Sequence, residues 1–162
     1  MLINVLKRQY RKISLLFTKR RNQRLQNNLD YFLAQTLPQS DICFTAKCFD
    51  ISCSQKISIS LAIRKAIANL GDVESRFIRA ESSFEELGLL KFWEHCGDAG
   101  FDSIEFIEAI EKELDITFTH RQLRSCSVQD PDLNTQLKIL DFIREFYEWY
   151  AQNILIHRTQ GE

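Results

Sequence analysis

The sequence predicts an all-α fold, and three observations carry that expectation. Only 5 glycines and 2 prolines occur in 162 residues, too few for the many tight turns of a sandwich or barrel. Hydrophobic residues make up 44% of the chain and include 12 Phe, enough to fill a core without disulfide or metal staples. Over several stretches these residues recur at intervals of three and four, the spacing that gathers side chains on one helix face. The length suits one domain of ordinary size plus an extension.

The first element is a basic helical extension over residues 1–40. Leu6, Tyr10, Ile13 and Phe17, and later Leu25, Leu29, Phe32 and Leu33, have helical spacing and predict one or two amphipathic helices. Leu37-Pro38 ends them, because a residue before proline is disfavoured in the α region. This segment holds eight basic residues (Lys7, Arg8, Arg11, Lys12, Lys19, Arg20, Arg21, Arg24) against Asp30 alone, although the whole chain has a net charge of −1. Such an end is drawn to phosphates, so an anionic membrane surface or nucleic acid is a candidate partner for residues 1–37. The acidic remainder suits a protein partner with a basic patch.

Residues 41–58 lose the helical period and read as a linker. From 59 to 156 a helical bundle is expected. Its first helix carries the stripe Ile59, Ile63, Ala66, Ile67 and Leu70, with Gly71 as its stop. A connection over 72–86 must bury Phe77, Ile78 and Phe84, and Leu89 to His95 suits a short helix. The clearest helix is marked by Ile104, Ile107, Ile110 and Leu114, and Asp102 with Glu105 forms a capping-box pattern at its start. Thr119 to Cys126 suits a short helix. The last helix, from about Leu133 to Ile156, closes the bundle with Leu137, Leu140, Phe142, Ile143, Phe146, Trp149 and Tyr150.

Several function classes find no support. No stretch approaches the ~18 to 20 apolar residues that cross a bilayer, and no signal-peptide pattern precedes the five cysteines. A cytoplasmic location, with attachment at most peripheral to a membrane, is therefore expected. Cys43, Cys48 and Cys53 recur every fifth residue, not at the Cys-x-x-Cys spacing of a zinc site. His95 beside Cys96 lacks metal-ligand spacing from His120. A calcium loop over 98–108 fails because Ala99 and Phe101 fall where oxygen ligands are needed. No Ser-His-Asp set, glycine-rich phosphate loop or paired-carboxylate site is visible, so the chain is not expected to be an enzyme.

A run from Phe101 to Ile116, Phe101-Asp102-Ser103-Ile104-Glu105-Phe106-Ile107-Glu108-Ala109-Ile110-Glu111-Lys112-Glu113-Leu114-Asp115-Ile116, resembles the second helix of acyl carrier proteins. Upstream, Ser83-Phe84-Glu85-Glu86-Leu87-Gly88 is similar to that family's Phe-x-x-Asp-Leu-Gly approach. Downstream, Ile139-Leu140-Asp141-Phe142-Ile143 resembles its fourth helix. The resemblance implies a four-helix bundle that serves fatty-acid or polyketide metabolism and docks basic partners through an acidic helix, here Glu105, Glu108, Glu111 and Glu113. In the family a phosphopantetheine arm is attached to a Ser at the start of this helix. Two registers compete for that position. Matching every apolar position as core puts Gly100 there, and glycine has no hydroxyl, so this register implies a cofactor-free docking module. Matching Asp102-Ser103-Ile104 to the family's Asp-Ser-Leu makes Ser103 the attachment site of 4'-phosphopantetheine, places Glu113 at a core position and shortens the helix by about one turn. Helix capping favours Ser103, but continuous core matching is harder to obtain by chance, so the Gly100 register and a docking module without a cofactor are the expectation, with a phosphopantetheine carrier primed at Ser103 as the alternative. The stretch from Leu89 to Ala99 is about nine residues longer than in the family, which adds surface beside the attachment position.

Overall fold

The computed structural model describes residues 2–50, 53–90 and 103–155, with side chains described from residue 18 to 153 within those ranges. All the regular structure among them is helical: α1 (Leu2–Gln35), α2 (Asp41–Cys48), α3 (Ser54–Gly71), α4 (Ser103–Leu114), α5 (His120–Arg124) and α6 (Ile139–Tyr150), with a π-helical turn over Ala151–Leu155 continuing α6. The all-α expectation is met. The expected short helix from Leu89 to His95 falls mostly on residues 91–102, outside the described residues, as do Asp102 and Gly100.

α3 is the centre of the packing, in contact with α2, α4 and α6. Its stripe faces inward as expected: Ile59, Ile63, Ala66 and Ile67 are buried. The connection after it buries Ile78 and Phe84 fully, then runs antiparallel beside residues 135–140. Phe84 N donates to Leu137 O at 3.1 Å and Ile139 N to Ser82 O at 2.9 Å. That pairing holds Lys138 extended as the residue before α6. Hence α6 begins at Ile139 rather than near Leu133, which is 86% exposed beside a turn at 131–133. From there Ile139, Phe142, Ile143, Phe146 and Trp149 close the core.

Two further expectations are corrected. Residues 41–58 are not a linker: they contain α2 and the start of α3. Ser40 caps α2 by accepting from Cys43 N, Asp41 and Lys47 stand at the dipole ends that favour their charges, and Phe44 and Cys48 are fully buried. A helix of eight residues is marginal by itself, so packing on α3 and α6 makes it. Gly71 is not the stop of α3. The left-handed position is Asp72 (φ 57°), and Val73 N closes the end by donating to Ala68 O at 3.0 Å. Gly71 is needed for space instead, since a Cβ there would stand 2.9 Å from Leu90 Cδ1. Asp72→Gly should therefore stabilise the protein by about 1 kcal/mol, read as a higher urea midpoint at unchanged slope, because glycine carries no Cβ penalty in that conformation.

The basic segment forms a single helix. Phe32 at its far end is buried, and Leu29 and Leu33 pack against the core. The chain beyond it is stitched down by Gln39, whose backbone N donates to Arg76 O at 2.8 Å and whose side chain accepts from Ala80 N at 3.0 Å and donates to Glu81 at 2.9 Å. The end of the extension is thus part of the core.

Candidate functional site

A cavity of about 470 Å³ lies between α4, α6 and the segment 117–131. Helical period explains its walls: Ile107 from α4, and Phe142 and Phe146 from α6, meet there at the bundle's end. Phe118 and Val128 complete the apolar lining, and Ser103, in the first described turn of α4, stands in it.

The segment that roofs the cavity is held by polar contacts from both helices. Glu111 on α4 accepts from Phe118 N at 2.5 Å, turning the chain back after Asp115, whose φ of 52° ends the helix. Thr119 and Gln122 form a reciprocal capping box on α5. Gln129 donates to Glu145 on α6 through both its backbone N (2.9 Å) and its side chain (2.8 Å). Asp130 then meets α4: Ser103 Oγ donates to Asp130 Oδ1 at 2.7 Å. An apolar space thus carries a hydroxyl and a carboxylate beside it.

The four glutamates assigned to partner docking divide into two pairs. Glu105 and Glu108 are exposed. Glu111 holds the turn, and Glu113, with a side chain only 11% exposed, pairs with Lys65 at 2.7 Å and accepts from Asn69 at 2.8 Å, tying α4 to α3. Spacing along one helix could not separate these roles, because it does not say which turn meets α3. Among the expected core positions of α4, Ile110 is fully buried and Ile107 and Leu114 are half-buried. Ile104 is 73% exposed, a correction, and Phe106 at 2% takes the inward position.

The cysteines fit the ordinary reading. Cys48 is buried, and desolvation pushes its thiol up to about 12 against the opposing pull of Arg144 and Arg64, so it stays a protonated core residue. Cys53, exposed at the start of α3, is shifted down, chiefly by the backbone N–H of Lys56. Among the described residues no group of His, Cys, Asp and Glu is arranged to hold a metal ion. No known family, curated protein or solved structure matches the chain.

Proposed function

We propose that the chain is an acyl-carrier-type domain in which α4 offers Ser103 as the attachment point of a phosphodiester-linked arm and the adjoining apolar cavity receives the arm's cargo. The observation that carries this reading is the position of Ser103, in the first described turn of α4, in the cavity wall and beside Asp130. With Asp102 as the cap, as the sequence pattern expects, free backbone N–H groups and the positive end of the helix dipole favour a phosphodiester at Ser103.

Two features of α4 support the Ser103 register over the Gly100 register. Exposed Ile104 removes one of the apolar matches on which the Gly100 register stood. Glu113 falls at a core position in the Ser103 register, and it is largely buried and neutralised by Lys65. In this reading the exposed Glu105 and Glu108 face basic partner enzymes, and the chain bears a substrate that those enzymes convert.

One observation favours a second reading, a cofactor-free docking module. The Ser103 hydroxyl is half-buried and donates to Asp130, whose charge opposes an incoming phosphate. The deciding experiment is intact mass after incubation with coenzyme A and a promiscuous phosphopantetheinyl transferase. The carrier reading expects a gain of one phosphopantetheine unit, abolished by Ser103→Ala and faster in Asp130→Asn. No gain under conditions that prime an ordinary carrier would leave the docking module as the better account.

A further inference from the structure

α1 runs from Leu2 to Gln35 without a break, and no glycine or proline interrupts it, so its two halves share one rotational register. Its second half packs on the body. Asn22, Leu25, Gln26 and Leu29 line a groove against Gly71, Leu89 and Leu90, and Phe32 is buried further along. At 3.6 residues per turn these positions span an arc of about 120°. In the first half, Leu2, Leu6, Tyr10, Ile13, Leu16 and Phe17 also share an arc of about 120°, centred roughly 160° away from the body-facing one. The two sets of positions therefore fall on opposite sides of the helix register, with Leu15 alone of the first half's apolar residues falling within the body-facing arc.

We propose that the first half of α1 seats the protein on an anionic bilayer surface, its apolar arc in the acyl-chain boundary and its bases among the headgroups. Charge selects this occupant. Between Leu2 and Leu29 there are eight bases and no acid, so two copies of the helix pairing through the same stripe would repel, with no opposite charges to set against each other. Nucleic acid would satisfy the bases but leave the apolar arc in water. An anionic bilayer satisfies both, since interfacial helices combine an apolar arc with a Lys/Arg-rich remainder. No helix among the described residues is long and apolar enough to cross a membrane, which fits a helix lying in the interface. In the helix register the first set of positions falls opposite the arc that packs on the body, which leaves that arc free to hold the bundle. This inference is independent of the Ser103 reading.

The test is co-sedimentation of the full chain with vesicles of phosphatidylcholine alone or with about a third phosphatidylglycerol. The parent is expected to bind the anionic vesicles, and to lose most of that binding as salt rises from about 0.05 to 0.5 M. Ile13→Asp should weaken binding roughly tenfold to a hundredfold, and replacing Lys7, Arg8, Arg11 and Lys12 together by Gln about a hundredfold or more. Ile13→Asp binding as well as the parent would overturn the proposal, since attraction would then be through charge alone. A parent dimer that Ile13→Asp dissociates would overturn it in favour of a second copy, and a lowered unfolding midpoint of Ile13→Asp would place that residue in the core.

Discussion

Replacing Arg64 by Ala is expected to cost about 3 to 5 kcal/mol, a large part of a total stability on the order of 5 to 15 kcal/mol. Arg64 projects from α3 and is only 1% exposed, yet each nitrogen of its guanidinium has a partner. Nε donates to Ile78 O at 3.0 Å, one terminal nitrogen to Asp41 at 2.6 Å and the other to Gln39 O at 2.6 Å, while the Phe44 ring lies 4.4 Å away. Burial pulls its pKa down and Asp41 opposes the pull; a guanidinium nevertheless stays charged. One side chain thus joins α3 to the connection before α2, to α2 itself and to the segment after α3.

A buried ion pair can often be replaced by an apolar residue at little cost. Here two of the three acceptors are backbone carbonyls, which no second mutation removes. Arg64→Met should therefore remain about 2 kcal/mol or more below the parent, from orphaned carbonyls alone. Urea unfolding of both variants checks this. Arg64→Met unfolding at the parent's midpoint would show that Gln39 and Ile78 find other donors.

Phe142→Ala is expected to cost about 3 to 5 kcal/mol. Phe142 is 2% exposed and joins three aromatic neighbours, Phe84 at 5.6 Å, Phe106 at 5.3 Å and Phe146 at 6.2 Å between ring centroids. It also forms part of the cavity wall, so truncation joins a new void to an existing one. Rings held on α4, α6 and the paired segment at Phe84 are poorly placed to collapse into it. Phe142→Leu, which keeps most of the volume, should cost about 1 to 2 kcal/mol. At ordinary urea slopes the Ala variant should lose on the order of 2 M in midpoint. Equal midpoints for Ala and Leu would mean that the rings relax around the gap.

Much of this protein was legible as sequence wherever a long helix with one apolar face was involved. The stripe of α3, Ile110 in α4, and Ile139, Phe142, Ile143 and Phe146 in α6 announce themselves because burial against a single partner imposes a 3.6-residue period. The capping signals of short helices were less legible: α2 has its cap, its charges and its two core residues, but eight residues are too few for period to separate them from a loop. Ser103 and the glutamates of α4 were legible as candidates and not as a site. Nothing local says that Asp130 returns to Ser103, or that Glu113 is spent on Lys65 while Glu108 is exposed. Those assignments depend on contacts between residues 27 to 48 positions apart, which no local pattern encodes. Arg64 shows the same limit more sharply, since a lone base in an apolar stripe reads as an interruption. By itself the sequence determined the helical class, the inward faces of the long helices and the charge division between the ends. The tertiary structure decided which residue is exposed at Ile104, which polar groups are spent inside and where a cavity remains, because each depends on what packs across from it rather than on its neighbours along the chain.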